Sequence, residues 1–251
     1  MARRSTAAPA PGELPLYEEI RARVTESIAS GEWGPGEAIP TERELAAAFR
    51  VAIGTIRKAV DSLVAERALV RRQGKGTFVT EHDDSRQLFH FFHIVARDGH
   101  KIQPEVAMAS FRRGRANGDE ADALGIAPAE KVIRIRNVLS LDGSPVMVDD
   151  ITLAAALFPG LSEKTFVARS NTIYQLYQSR FGINVLRTDE RLRAILVPRD
   201  VASHLGVPSG TPLLEIRRVA LTFRDRPVEL RLSRVDTARH DYHNTLGKTL
   251  A

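Results

Sequence analysis

The sequence predicts an α+β protein with two domains: an N-terminal winged helix-turn-helix domain and a C-terminal domain built on an antiparallel sheet with an internal repeat. Between residues 40 and 80, two segments of helical periodicity are followed by a glycine-rich hairpin. In the second half of the chain, a short helix followed by a hairpin occurs twice, with an offset of 81 residues from Leu124 to Leu205. The 251 residues, of which 43% are hydrophobic, are enough for two separate cores.

The first helix of this motif is predicted to begin at Thr41. Thr41 and Glu44 have the spacing of a capping box, in which a hydroxyl and a carboxylate bind each other's backbone amides at the start of a helix. The residues at inward positions of this helix are Leu45, Ala48 and Phe49.

A second helix is predicted from Ile53 to Glu66. Apolar residues at helical spacing supply its core face, namely Ile56, Val60, Leu63 and Val64. Its opposite face begins with small, hydroxyl and cationic residues, namely Gly54, Thr55, Arg57 and Lys58. Such side chains at the exposed start of a second helix suit entry into a DNA major groove, where the helix N-terminus also meets phosphate.

A wing is predicted directly after the second helix. Strand-like runs at 69–72 and 76–79 flank a turn in which glycine permits positive φ. Residues 67–80 contain four cations and no acid; the cations are Arg67, Arg71, Arg72 and Lys75. The candidate DNA contacts of the whole motif are Thr41, Arg43, Gly54, Thr55, Arg57, Lys58, Arg72, Gln73, Gly74 and Lys75.

These residues resemble the winged-helix domain of the GntR family of bacterial transcription regulators. The resemblance covers residues 14–80 and is carried by the runs 16–20, 28–37, 40–46 and 74–79. It implies that Arg43 contacts the DNA backbone or a base, that Arg57 reaches guanine or phosphate, and that the wing tip enters the minor groove. Where the family usually has Ser-Arg or Thr-Arg at the start of the recognition helix, this chain has Ala52-Ile53. We therefore expect a different operator or a less specific reading of it.

The rest of the sequence sets the domain boundaries. Residues 1–13 are predicted to be a disordered tail and not a signal peptide, because no apolar stretch follows the first arginines. The polar residues 81–88 are predicted to link a domain at 14–80 to an effector-binding and dimerisation domain at 89–251. The sequence has no cysteine and no run of about 20 apolar residues, which excludes disulfides and a transmembrane helix. A cytoplasmic location without a membrane partner is expected.

The internal repeat organises the second domain. The residues 123–126 lead into an apolar strand at 132–138, and the residues 204–207 lead into a similar strand at 213–219. Both strands continue through a turn into a second strand. Two such copies predict a pseudo-twofold domain around one antiparallel sheet, with the apolar helix 173–181 between the copies in sequence.

This half resembles the UTRA effector domain of the HutC branch of the GntR family, whose fold is related to chorismate lyase. The resemblance covers about 89–250 and is carried by the runs 142–146, 157–161, 172–174, 181–183 and 226–229. It implies a chorismate-lyase-like sheet and a small metabolite bound between the repeats. The positions that often carry phosphate-binding arginines are Asn137 and Leu139 in this chain. The candidate effector contacts are Phe91, Arg136, Asn137, Asp149, Thr172, Tyr174, Glu229 and Arg231.

The expected effector is less anionic than a phosphosugar, because Asn and Leu cannot replace a guanidinium fork. Metabolites with hydroxyl, amine or imidazole groups fit this expectation, as does a small carboxylate bound by Arg136 or Arg231. The expected macromolecular partner is double-stranded DNA. One recognition helix and one wing cover only a half-site, so we expect a homodimer on a palindromic operator.

Metal binding and catalysis are disfavoured by the sequence, and no cofactor is expected. His90 and His93 would point to opposite faces of a strand. The cluster 240–243, taken as helical, has no third ligand at metal-motif spacing. No nucleophile turn or phosphate-binding loop is present, and Asp149 and Asp150 would alternate across a strand.

A ligand-responsive DNA-binding repressor is therefore the leading hypothesis. The alternatives are an enzyme of chorismate-lyase type with an added nucleic-acid domain, and an architectural DNA-binding protein with a degenerate second domain. A comparison of operator and random DNA at equal salt would separate the repressor from the architectural protein.

Overall fold

The structure is a computed structural model that describes residues 15–66, 68–81, 92–169 and 172–244. The predicted tail at 1–13, residues 82–88 of the predicted linker and the candidate effector contact Phe91 lie outside the described residues, as do Arg67 and His90. The contacts divide the chain into two units, residues 1–81 and 82–251.

The described residues of the first unit form three helices followed by a hairpin. In chain order the elements are α1 (Leu16–Ala29), α2 (Glu42–Phe49), α3 (Ile53–Ala65), β1 (Leu69–Arg72) and β2 (Gly76–Val79). The two strands pair antiparallel, from Leu69 opposite Val79 to Arg72 opposite Gly76. The helix predicted at 53–66 and the wing hairpin are thus confirmed. The apolar residues that form the core include Ile20, Val24, Leu45, Ile56, Val60, Leu63 and Val79.

The predicted capping box begins α2. The Thr41 hydroxyl accepts a hydrogen bond from the Glu44 amide, and the Glu44 carboxylate accepts one from the Thr41 amide. The predicted inward face of this helix was partly wrong, because Ala46 is buried and Ala48 is exposed. Each residue turns the helix by about 100°, so a buried face that includes Leu45 and Ala46 places Ala48 on the solvent side.

The second unit is built on one antiparallel sheet of six strands. Its elements are β3 (Ile94–Ala96), β4 (Glu105–Arg115), α4 (Gly118–Leu124), β5 (Lys131–Leu141), β6 (Ser144–Ala154), a 3₁₀ turn (Ala155–Leu157), α5 (Glu163–Val167), α6 (Ile173–Phe181), β7 (Arg187–Leu196), α7 (Arg199–Leu205), β8 (Pro212–Leu221), a 3₁₀ turn (Phe223–Asp225), β9 (Pro227–Val235) and β10 (His240–Tyr242). The strand order in the large sheet is β4-β5-β6-β9-β8-β7, and β3 pairs with β10 separately.

Both predicted copies of the repeat are present. The segments α4-β5-β6 and α7-β8-β9 are each a short helix followed by a hairpin, and β6 pairs with β9 at the centre of the sheet. The structure adds one strand to the start of each copy, β4 and β7, and these two strands form the edges of the sheet.

The two faces of the sheet are covered by different elements. On one face, which we call the α6 face, Ile135 and Ile151 pack against Tyr177 and neighbouring apolar residues. On the other face, which we call the α4/α7 face, Val132 packs against α4 and Val148 packs against α7. Successive residues of a strand point to opposite faces. Asn137, Asp149, Arg231 and Ser233 therefore belong to the α6 face, and Arg136 and Asp150 belong to the α4/α7 face.

Candidate functional site

The first turn of α3 is open to solvent. Its N-cap residue, Ala52, is extended and provides no side-chain hydrogen bond to the helix start. Ile53 is 41% exposed, and Gly54 is also exposed: apart from its chain neighbours and the backbone of its own helix, no heavy atom lies within 4 Å of the position that a Cβ would occupy. No acidic residue lies in this turn. The first turn therefore presents backbone amides and an aliphatic side chain, and no acidic side chain of its own, to an anionic partner.

Glu42 of α2 connects the recognition helix to the wing. Its two carboxylate oxygens accept hydrogen bonds from Arg57 Nε of α3 and Arg71 Nη2 of β1, both at 3.0 Å. Arg71 also pairs with Asp61 at 2.6 Å. The Arg57 and Arg71 side chains remain 62% and 45% exposed. The cluster holds two cations of different elements on one carboxylate while leaving much of each side chain exposed.

The remaining candidate DNA contacts lie on the same unit. Lys58 Nζ lies 3.7 Å from the centre of the Tyr17 ring, and the Arg72 guanidinium lies 4.5 Å from that of Phe78. Gly74, at the wing tip, has a φ of +70°, which is why glycine suits this position. The other exposed candidates are Thr41, Arg43, Gln73 and Lys75, while Thr55 is half-buried. The structure places all ten at the start of α2, in the first two turns of α3 or in the wing.

A buried polar cluster lies on the α6 face of the second unit. Glu229 is fully buried and accepts hydrogen bonds from Tyr174 at 3.1 Å and from Tyr177 at 2.7 Å. Arg231 binds both carboxylate oxygens of Glu229, at 2.8 and 3.0 Å, and donates a third hydrogen bond to Asp149 at 3.0 Å. Three of the predicted effector contacts, Asp149, Tyr174 and Glu229, are thus joined through a fourth, Arg231.

Asn137 lies next to this cluster, because it pairs in register with Asp149. Asp149 accepts a hydrogen bond from Ser233 at 2.5 Å. Asn137 is completely buried, yet within the described part of the chain neither its amide nitrogen nor its amide oxygen has a hydrogen-bond partner. An unsatisfied buried amide costs roughly 1–3 kcal/mol, so this side chain is suited to bind a ligand that carries both a donor and an acceptor.

The cluster continues towards β10. The Arg218 guanidinium hydrogen bonds to Tyr174 and pairs with Glu190 at 2.5 Å. Glu190 also accepts a hydrogen bond from the Tyr242 hydroxyl at 2.5 Å. Tyr242 pairs with Ile94 in the small sheet, and its ring lies 5.2 Å from that of His93. Polar contacts therefore run from Asp149 to the first described strand of the second unit.

The pKa values of the cluster follow from burial and close charges. Burial would raise the pKa of Glu229, but the charge and hydrogen bonds of Arg231, with the hydrogen bond from Tyr177, hold that pKa below its ordinary value. Burial raises the pKa of Tyr174 and Tyr177, and the negative charge of Glu229 raises both further. At neutral pH Glu229 is thus an acceptor, and both tyrosines are donors.

Arg136 does not join this cluster, which corrects one sequence prediction. Strand alternation places it on the α4/α7 face, where it binds both oxygens of Asp150, at 2.6 and 2.8 Å, and Asp200 at 2.8 Å. It lines a separate cleft of about 530 Å³ on that face. Arg136 and Arg231 are therefore on opposite sides of the sheet. The side chains of Asp149 and Asp150 point to opposite faces of the sheet, as predicted.

The other predicted effector residues have defined positions. Thr172 is the N-cap of α6, and its hydroxyl accepts a hydrogen bond from the Gln175 amide at 3.3 Å. Leu139, which stands at the second arginine position of the family, is buried among apolar residues beside β3. The phosphate-binding positions suggested by the resemblance are thus occupied by a neutral amide and a core leucine.

Sequence reasoning missed several members of the cluster. Tyr177 lies one helical turn after Tyr174, so helical spacing could have identified it. Arg218 and Glu190 face each other across β8 and β7, and Ser233 lies opposite Asp149. Their pairing depends on strand register, which no local pattern reveals. Arg169 was also missed. Its guanidinium lies 4.2 Å from the centre of the Phe166 ring. Burial lowers the pKa of Arg169, and the nearby charge of Arg231 lowers that pKa further.

No group of three or more His, Cys, Asp or Glu side chains among the described residues could hold a metal ion. The cluster at 240–243, taken as helical from its spacing, contains the strand β10 instead, because these residues pair with β3. No described helix is both long and apolar enough to span a bilayer.

The chain is similar to known proteins along most of its length. The sequence family described as the UTRA domain matches residues 99–241. The sequence family described as bacterial regulatory proteins, gntR family, matches residues 16–79. The chain is 32% identical over 224 residues to the "Probable fructoselysine utilization operon transcriptional repressor" of Escherichia coli K12, covering 86% of this chain and 88% of that protein. It is 29% identical over 212 residues to the histidine utilization repressor of Pseudomonas putida, covering 82% of each.

A solved structure shows the same fold in the second unit. The ligand-binding domain of a GntR-family transcriptional regulator from Bordetella bronchiseptica has a TM-score of 0.62 and 32% identity, and covers 66% of this chain and 100% of its own. The matched family and the relatives are transcription regulators and not enzymes. The two domains provide DNA binding and small-molecule effector binding, as in a repressor controlled by a metabolite. The chain therefore belongs to the GntR family of bacterial transcription regulators, in the HutC subfamily whose members carry a UTRA effector domain.

Proposed function

We propose that the protein acts in the cytoplasm as a homodimer on a two-fold-symmetric operator. The first unit carries one recognition helix and one wing, which together cover one half-site, and two-fold protein symmetry matches a palindromic site. The test is footprinting together with light scattering of the free protein and of the complex. Two equivalent half-sites occupied by two chains are expected. A single unrepeated site occupied by one chain would contradict the proposal.

The proposed DNA contacts are the ten residues of the first unit named above, with different roles. Arg57, on the recognition helix, is assigned to base reading, and Lys75, at the wing tip, to neutralising backbone charge. Arg57→Ala should lower operator affinity more than random-DNA affinity. Lys75→Ala should weaken both equally and reduce the slope of log affinity against log salt by about one. Equal effects of the two substitutions on both DNAs would refute these roles.

The proposed effector site is the polar cluster on the α6 face, with Asn137, Asp149, Thr172, Tyr174, Glu229 and Arg231 as its contacts, and Phe91 retained from the sequence prediction. The unpartnered amide of Asn137 is the observation that carries this assignment. Arg231 already binds two carboxylates, so it has no excess charge for a phosphate. Arg169, nearby, offers a cation to a carboxylate group.

This chemistry favours a ligand with hydroxyl, amine or imidazole donors and at most a carboxylate, and disfavours a phosphosugar. The names of the two relatives described above refer to fructoselysine and histidine, both of which carry amine and carboxylate groups. A carboxylate of the ligand would be bound by Arg169, since Arg231 already binds Glu229 and Asp149 and Arg136 lies on the opposite face.

A thermal-shift screen tests the ligand class. The panel contains histidine, ε-modified lysines and neutral sugars in one set and hexose phosphates in the other. A ligand at a hundred times its Kd stabilises the native state by about 2.7 kcal/mol, so the first set is expected to contain the largest rise in Tm. Glu229→Ala should abolish that rise. A hexose phosphate that gives the largest rise, undiminished in Glu229→Ala, would contradict both the ligand class and the site.

A further inference from the structure

Ile53 is an aliphatic side chain exposed where the recognition helix begins. It is the first residue of α3 and is 41% exposed, whereas Ile56 and Val60, later in the helix, are 0% and 1% exposed. The core of the first unit therefore does not need Ile53. An exposed aliphatic group gains stability only if a partner covers it.

The surroundings of Ile53 indicate what kind of partner that is. Arg57 lies one helical turn further along and is held by Glu42, so a cation borders the aliphatic group. Gly54 leaves open space on the adjoining side of the helix. An apolar group beside a cation and the amides of a helix start fits the edge of a polyanion that also displays apolar groups, and fits an apolar protein surface poorly.

Duplex DNA displays one such apolar group in its major groove, the C5-methyl group of thymine. We propose that Ile53 reads thymine by covering this methyl group in each operator half-site. The proposal rests on the proposed function, because it requires a specific operator. It replaces the expectation of reduced specificity at Ala52-Ile53 with a defined preference, in which methyl contact takes the place of hydrogen bonding to a base.

Deoxyuridine provides the test, because it pairs like thymidine and lacks only the C5-methyl group. An operator is first selected from a pool of random duplex DNA with the full-length protein. Each thymidine of the selected site is then replaced singly by deoxyuridine, and Kd is measured at fixed salt. At one position in each half-site we expect Kd to rise about fourfold, because each replacement removes one buried methyl carbon. When both half-sites are substituted, Kd should rise about fifteenfold.

Two variants identify the residue responsible. Ile53→Ala, which keeps a strong helix former at the position, should bind the thymidine and deoxyuridine operators equally. Leu16→Ala truncates another exposed aliphatic residue in the same unit. This variant should keep the full difference in Kd between the thymidine and deoxyuridine operators. The proposal would be overturned if no replacement of thymidine by deoxyuridine changed Kd. It would also be overturned if Ile53→Ala still bound the two operators with different Kd values. If selection enriched no sequence, specific operator binding itself would be refuted, which is a distinct result.

Discussion

The hydroxyl group of Tyr177 lies 2.7 Å from Oε2 of Glu229, and both side chains are fully buried. This contact joins α6 to β9 across the centre of the second unit. Glu229 needs the donor because Arg231 alone leaves lone pairs of a buried carboxylate unsatisfied. The tyrosine therefore supports the charged core on which the proposed effector site is built.

Tyr177→Phe should destabilise the second unit, because it removes a donor from a buried carboxylate and keeps the ring. The expected loss is about 1–3 kcal/mol in the free energy of unfolding, measured by urea denaturation. Tyr17→Phe is the matched control, since its hydroxyl bonds to Glu18 near the surface and its loss should change stability by less than about 0.5 kcal/mol. An unchanged midpoint in Tyr177→Phe would show that the hydrogen bond contributes nothing.

Glu42→Gln should make DNA binding stronger and less selective. The substitution removes a negative charge and releases Arg57 to bind phosphate, while Arg71 stays paired with Asp61. Random-DNA affinity should rise, and the slope of log affinity against log salt should steepen by about one, near 0.9 for each added phosphate contact. Discrimination should fall because Arg57 is no longer held in place.

The control for this experiment is Glu19→Gln, which removes the same charge and breaks the exposed pair with Arg23 on α1. If Glu19→Gln changed the salt dependence as much as Glu42→Gln, overall charge and not the position of Glu42 would be responsible.

Stability should fall in mildly acidic solution because of His93. Burial lowers the pKa of His93 below 6.5, and Arg218, Lys101 and His243 lower it further against the opposing effect of Glu190. The unfolded state then binds a proton more readily than the folded state, so the contribution of neutral His93 is complete above pH 6.5 and is lost as pH falls through the depressed pKa. The free energy of unfolding of the wild type should decrease more between pH 7.5 and 5 than that of His93→Gln. Parallel curves would exclude His93 as the source.

Much of the first unit could be predicted from sequence because its signals are local. The capping box at Thr41, the core face of α3 and the glycine turn of the wing depend on residues within about four positions of one another. The prediction that Ala48 faces the core was wrong because the buried face of an eight-residue helix is set by its tertiary neighbours. The positions of the DNA-contact candidates were predictable, whereas the attachment of Arg57 and Arg71 to Glu42 was not, because it joins three elements.

The second unit was predicted less completely because its site depends on strand register. The hairpins were found from their repetition, but the edge strands β4 and β7 were missed, since both are largely exposed and lack a regular apolar alternation. Arg136 could have been excluded from the site, because it is adjacent to Asn137 in one strand and must face the other way. The pairing of Arg218 with Glu190 requires knowledge that β7 lies beside β8.

Asn137→Leu should separate effector binding from stability. Leucine has nearly the shape of asparagine and brings no polar atoms, and within the described residues the Asn137 amide makes no hydrogen bond that would be lost. Without ligand, the free energy of unfolding should stay constant or rise by about 1–3 kcal/mol, because an unsatisfied buried amide is removed. The rise in Tm caused by the best compound of the thermal-shift panel should disappear, while operator affinity without that compound should stay unchanged.

Asp149→Leu is the contrasting variant: it leaves Arg231 with one carboxylate fewer and should destabilise the protein by about 3–5 kcal/mol. If Asn137→Leu destabilised the protein as strongly, or kept the full ligand-induced rise, the buried amide would be a structural group and not an effector contact.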